Sequence, residues 1–433
     1  MSRATFVACV FIGVSLLPRL GASESEGPDQ PSGWSLPALW QLATDQSPKL
    51  ARARANIAAT EAGVKRARLR YLPRVSAQVS YQDYVKIASV LTFAEPEPYS
   101  IFKVGLEVSQ TLYDGSATKH EVALARDQLK QSQLEYEQAA EELLWALTEH
   151  FFDAAAAQIE SVGLAPIEAL ASERLEVFEK QLRAGVVDRL ALFRTQGELE
   201  RLQRSRLAAK LRKNLAEAQL TQLLRTTPDF WQTHASYQIP QEHAIAPESL
   251  ARPPSAAVEI AELKLEMAER RWKKTASGYA PKIEAVASAG HLSRDELRFS
   301  ERGTDTTLGV TLSWGVDTAM TARLDRLEAR SQIEVAEAEY ADVQQTHAAR
   351  VHSTRLQWEQ AQDTVALLQS SADRQKTRVE AVRSAASGGL YDRSMLLTEE
   401  QTLAQTQLDL RISLIELRRQ QYLTLLLARH SLP

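Results

Sequence analysis

The sequence contains a single cysteine, Cys9, within 433 residues. If the leader that holds it is removed, the mature chain has no disulfide, no thiolate nucleophile and no cysteine-based zinc site. Aromatics are also scarce, at 6%, which argues against several ordinary globular cores. Basic charge is not in excess, since 51 Lys and Arg face 55 Asp and Glu. That balance excludes a nucleic-acid binder of the usual basic kind. Long apolar runs are missing after the first two dozen residues, so no transmembrane helix is expected and any membrane-spanning part must be made of strands. Catalytic patterns are missing as well. There is no nucleophile elbow, phosphate loop or carboxylate pair. His347 and His352 lie five positions apart, which turns them about 140° from each other on a helix, a poor geometry for a shared metal. Glu141 and Glu142 are adjacent and face different ways. The sequence therefore reads as a non-enzyme with no catalytic residue, no metal site and no cofactor.

What is present begins with a leader. Arg3 supplies a positive start, Ala4 to Leu17 an apolar segment too short for a bilayer, and Gly21-Ala22-Ser23 the small residues of a cleavage site. Residues 1–23 read as a secretory signal peptide. Phe6-Val7-Ala8-Cys9 only faintly resembles a lipobox and has no apolar segment before it, so no lipid anchor is expected.

The dominant stretch is Val316 to Ser387, which contains neither Gly nor Pro. Tyr340, Val343, Val351, Trp358, Ala361, Val365, Leu368, Ala372, Val379, Val382 and Ala386 recur at sums of threes and fours. His347, Thr354 and Gln375 fill the missing steps. This is a coiled-coil seam on one uninterrupted helix, roughly 105–110 Å long.

Taken in order, residues 24–46 read as an extended leader followed by a short helix, Leu36 to Thr44. Residues 47–226 form a first repeat. Ser47-Pro48 opens a helix that stops before Pro73. Two alternating segments follow, at about 74–85 and 101–113, each with one apolar and one polar face. Tyr113-Asp114-Gly115 leads into a long helix towards Ala184, with a kink expected at Gly163 and Pro166. Gly185 reverses the chain, and a further helix runs from about Asp188 to Leu224. Residues 227–253 are a linker of mixed character. Residues 254–430 then repeat the plan, with strands at about 282–292 and 306–314. Tyr279-Ala280-Pro281-Lys282-Ile283-Glu284-Ala285-Val286-Ala287-Ser288 echoes Tyr71-Leu72-Pro73-Arg74-Val75-Ser76-Ala77-Gln78-Val79-Ser80. Gly388-Gly389 closes the second long helix, as Gly185 closes the first.

Four strands cannot close a membrane barrel alone, because known single-chain barrels begin at eight. An open sheet in lipid would leave backbone groups unpaired. Several copies must then share one barrel. Val104 and Leu106 share one face, as do Leu308 and Leu312, and these faces are expected to meet lipid.

With these features in place, the chain resembles the TolC-like outer-membrane efflux protein family over about residues 36–430. The doubled plan carries the resemblance, with the Leu-Pro or Ala-Pro step into each repeat's first strand, Leu112-Tyr113-Asp114-Gly115, and the glycine reversals at 185 and 389. It implies a mainly α protein with a transmembrane β part. Three copies would share a twelve-stranded barrel in the outer membrane, continued by a periplasmic coiled-coil tunnel. It implies an outer-membrane channel of a tripartite efflux or type I secretion system, exporting small toxic compounds, metal ions or polypeptides. Its partners would be a periplasmic adaptor and, through it, an inner-membrane transporter.

The resemblance also implies roles for the helical reversals. Gly185, Val186, Gly389 and Leu390 correspond to the tips that meet the adaptor, and folding alone gives little reason for exposed Val186 and Leu390. The family's two gating aspartates fall on Met395 and Thr398, and its latch on Ala386 and Tyr391, so neither device is carried over. Asp392, Arg393, Glu399 and Glu400 lie nearby. They read as solvated surface, with charges at a tunnel entrance as the second reading. Two other classes compete with a channel. A periplasmic adaptor usually has one helical hairpin inserted in a β-rich domain, whereas two are present here. A structural coiled-coil protein of the cell envelope would not need the alternating strands.

Overall fold

The computed structural model describes residues 34–84, 99–227, 231, 237–238, 255–294, 304–387 and 392–427. The expected signal peptide, the second glycine reversal and most of the linker lie outside the described residues.

The strand–helix plan appears twice. After a two-residue strand β1 (Trp34–Ser35) and helix α1 (Leu36–Gln46), the first repeat has α2 (Pro48–Arg68), β2 (Arg74–Tyr84), β3 (Tyr99–Tyr113), α3 (Ala117–Arg183) and α4 (Arg189–Leu224). A second two-residue strand, β4 (Tyr237–Gln238), falls in the linker. The second repeat has α5 (Ala256–Thr275), β5 (Lys282–Arg294), β6 (Thr304–Ser313), α6 (Val316–Ser387) and α7 (Arg393–Leu427).

Helix α6 spans the whole stretch that lacks Gly and Pro, a length of about 108 Å. Every seam position from Tyr340 to Ala386 is sheltered, and Thr354, Ala361, Val379 and Val382 are buried. The seam packs on α5 near the sheet and on α7 beyond it. In the same way α3, with 67 residues, is matched end to end by α2 with 21 and α4 with 36. Each repeat is thus one long helix backed by two short ones.

The ends of these helices follow from local chemistry. Pro48 occupies the first turn of α2, where an amide hydrogen is not needed, and the Ser47 side chain accepts from the Leu50 N–H. Asp188 caps α4 by accepting from the Ala191 N–H at 2.8 Å. Helix α3 runs on through both Gly163 and Pro166. Gly163 gives room to α7: a Cβ there would lie 2.4 Å from the Leu408 side chain.

The four long strands form one antiparallel sheet in the order β2-β3-β5-β6, so the two repeats join through β3 and β5. A β-bulge between Thr111 and Tyr113 adjusts that central pairing. Strands β2 and β6 are the outer edges of this sheet.

The main core sits far from the sheet, where the short helices meet along the long ones. Leu36, Leu39 and Trp40 of α1 pack with Leu147, Phe151 and Phe152 of α3, Leu220 and Leu224 of α4, and Leu423 of α7. Trp40 Nε1 donates to Thr148 Oγ1 at 3.3 Å, and its ring meets Tyr422 edge-on at 5.9 Å. Strands β1 and β4 pair in parallel beside this core, placing Tyr237 against Phe151. The Tyr237 hydroxyl donates to Glu217 at 2.8 Å; burial, then that bond, pushes its pKa far up.

Candidate functional site

The sheet separates two chemistries by face. Its register places Val75, Ala77 and Val79 of β2 beside Val108, Leu106 and Val104 of β3. The same face continues through Ala287 and Ala289 of β5 to Leu308, Val310 and Leu312 of β6. Leu106, Leu308 and Leu312 are exposed at 57%, 85% and 67% in the single chain, and Val104 is partly sheltered. The opposite face carries Arg74, Ser76, Gln78 and Ser80, then Lys103, Glu107 and Ser109, then Lys282, Glu284 and Ser288, then Asp305, Thr307 and Thr311. His291 and Thr306 interrupt the first face, and Val286 and Leu292 the second, but the predominantly apolar face suits lipid and the predominantly polar one water. At the helix end of the sheet, Tyr71, Tyr113, Tyr279 and Trp314 are all exposed. Such rings suit a bilayer–water boundary. Alternation in the sequence shows the faces, but the grouping of these aromatics at one end of the sheet needs the fold, because they come from four separate segments.

At the far end of α3 the chain reverses on Gly185, whose φ is +74°. The Val186 N–H bonds back to the Gln181 carbonyl at 2.9 Å and the Gly185 N–H to Leu182 at 3.0 Å. This is a Schellman closure, which needs a left-handed residue at that point. A Cβ on Gly185 would meet nothing within 4 Å, so backbone conformation alone explains the glycine. Val186 is 72% exposed. Gly389 and Leu390 lie outside the described residues, as does Tyr391.

The four charged residues after the second reversal have distinct surroundings. Asp392 is exposed and accepts from Ser394 Oγ at 2.8 Å, from the Arg393 N–H at 2.7 Å and from Gln181 Nε2 of α3. The Ser394 bond leads in holding this carboxyl below the usual aspartate range, against a smaller opposing effect of burial. Arg393 reaches Glu173 of α3 at 2.7 Å. Glu400 pairs with Arg383 of α6 at 2.7 Å. Glu399 departs from the reading as solvated surface. It is 7% exposed, held by Arg378 at 2.8 Å and Gln375 at 2.7 Å. Gln375 is a seam position of α6, so the polar residue in the apolar stripe is matched by a buried carboxylate on α7. Arg174 of α3, itself buried, bonds both Glu198 and Thr398. Met395 is exposed. The structure therefore brings Asp392, Arg393, Glu399 and Glu400 into ties that bind the start of α7 to α3 and α6. Glu173, Arg174, Gln181, Arg378 and Arg383 complete those ties and are not visible in the sequence, since each partner lies on another helix.

Among the described residues no helix is long and apolar enough to cross a membrane. Residues 39–225 match the family described as outer membrane efflux protein. The fold is similar to that of VceC, an outer membrane protein of Vibrio cholerae, with a TM-score of 0.78 at 15% identity over 91% of this chain and 96% of VceC. Residues 39–225 thus carry the similarity to outer membrane efflux proteins, and 91% of the chain has a TolC-like fold. The Campylobacter jejuni CmeC outer membrane channel shares this TolC-like fold, with a TM-score of 0.72 at 17% identity over 91% of this chain and 84% of CmeC. So does the Neisseria gonorrhoeae MtrE outer membrane channel, at 0.66 and 18% over 89% and 88%. No curated protein matches the sequence.

Proposed function

We propose that three copies of this chain form an outer-membrane duct, the channel component of a tripartite efflux or type I secretion system. One observation carries the reading: a four-stranded sheet with an apolar and a polar face, and with two open edges, stands at the end of helices about 100 Å long. The open edges need partners in lipid. Three copies would supply twelve strands, lipid outside and water inside, and the helices would continue the passage through the periplasm. Residues 1–23 would direct export, 47–226 and 254–430 would be the two efflux repeats, and 227–253 would join them.

The duct itself does no chemistry. Gly185, Val186, Gly389 and Leu390 would dock a periplasmic adaptor, which links the duct to an inner-membrane transporter. Asp392, Arg393, Glu399 and Glu400, through their ties to α3 and α6, would hold the tunnel entrance. Cargo would be small toxic compounds, metal ions or polypeptides. The test combines cell fractionation with mass measurement in detergent. Outer-membrane material that resists salt extraction and has the mass of three chains is expected. A stable monomer with all four strands formed would remove the barrel. Deleting the gene and screening toxic compounds, metals and secreted proteins in parallel would identify the cargo.

A further inference from the structure

Where the sheet meets the helices, the chain leaves a hollow of about 980 Å³, a size that suits a small molecule. The strand residues that line it, among them Arg74, Ser109, Lys282 and Glu284, belong to the polar face of the sheet. In the assembly proposed above that face borders water, so the hollow opens on the passage and not on lipid.

The two repeats line it unequally. The first contributes Leu69, Arg70 and Leu72, and the corresponding residues of the second are Ser277, Gly278 and Ala280. Close packing accounts for the small ones. A Cβ on Gly278 would lie 2.9 Å from Ala322, and one on Gly115 would lie 2.5 Å from Ala280. It does not account for Leu69 and Leu72, which are both exposed and border the open space.

Four basic and two acidic residues line the hollow. Both acids are already engaged. Asp114 accepts from the Thr118 N–H at 2.9 Å at the start of α3, and Glu284 pairs with Lys282 at 2.8 Å. Arg70 pairs with Glu121 of α3. Arg66 and Arg74 remain, and neither guanidinium has an ion-pair or hydrogen-bond partner among the described residues. Gly315 also lines the hollow and immediately precedes α6, so the positive end of that helix adjoins it.

Resting on the duct reading above, we propose that this hollow binds exported organic anions with an apolar body, one in each copy. Arg66 and Arg74 hold the carboxylate or sulfonate, whose oxygens match the paired donors of a guanidinium. Leu69 and Leu72 cover the aromatic or aliphatic part. An inorganic anion gains nothing from the leucines, and a neutral apolar molecule leaves the arginines unmatched.

The test uses full-chain trimers in phosphatidylcholine nanodiscs, with naphthalene-2-sulfonate as the probe. Equilibrium dialysis against empty nanodiscs reads the saturable binding. One probe per copy is expected, with inorganic sulfate and uncharged 2-naphthol each on the order of tenfold weaker. Arg66→Gln combined with Arg74→Gln should weaken the probe by a similar factor. Lys103→Gln, which removes a basic residue of the same polar face outside the hollow, should leave it unchanged. Trimers that do not bind the probe, that bind it equally after the double arginine change, or that lose it equally with Lys103→Gln would overturn the site and leave the duct reading standing. A monomeric wild type would overturn both.

Discussion

Leu106 and Glu107 are neighbours on β3 with opposite surroundings, and they give a direct test of the sheet's two faces. An arginine in place of Leu106 near the middle of the bilayer should cost on the order of 2–4 kcal/mol, whereas one in place of Glu107 should cost much less. The measurement is the amount of each variant assembled in outer membranes; equal tolerance would contradict the register. This distinction is legible in the sequence, because alternation with period two needs no tertiary information. Glu399 shows the opposite case. Its burial depends on Gln375 and Arg378 of another helix, and nothing near it in sequence signals that. Asp392 carries a pH prediction. Its carboxyl is held below the usual aspartate range, first by Ser394, which outweighs an opposing burial effect, and further by Gln181 and backbone N–H groups. A depressed carboxyl contributes its tie fully above its unfolded value and loses it as pH falls through the lowered folded value. The start of α7 should therefore stay fixed to α3 throughout neutral and mildly acidic conditions and loosen only in strong acid. Hydrogen exchange at residues 393–396 checks this, and loosening near neutrality would contradict it.

Among elements, the long helices are the most legible and the two-residue strands the least. The seam of α6 repeats over ten turns, and an unbroken pattern of that length has one structural solution. Strands β1 and β4 have only two residues each, so no periodicity can reveal them; they exist because the core beside them holds Trp231 and Tyr237 against α3 and α4. Helix α3 continues through Pro166, and α7 fits closely against Gly163, where a Cβ would lie 2.4 Å from the Leu408 side chain. Phe151 is the side chain to remove in order to test the core. It is fully buried among residues of four helices, so Phe151→Ala should cost about 3–5 kcal/mol. Thermal unfolding in detergent should show a lower midpoint for helical signal. An unchanged midpoint would mean that the seams, not this core, hold the rods together.

For the whole molecule, distance separates the membrane end from the tips. Changing Val186 and Leu390 together to Asp should leave the sheet about 100 Å away undisturbed, so trimers should still form. On the proposed function export should fall, because the duct would no longer seal against an adaptor. Overproducing the adaptor should recover part of the loss, since weakened binding yields to mass action. Export and trimer level measured in the same cells decide between outcomes: normal export would remove the docking role, and lost trimer would make the tips structural. That several copies are needed to close a barrel is legible in the strand count, whereas the number three comes from the resemblance to the TolC-like family. The splices between short helices have a mechanical consequence. A column made of one continuous member and one jointed member is weakest where the joint falls. Here the ends of α2 and α4, and of α5 and α7, meet beside the largest apolar core, with α1 and the β1–β4 clasp bound across it. The joint is therefore bandaged at its weakest section, and a bending load applied at the tips is carried to spans on either side of it, where only pairs of helices resist.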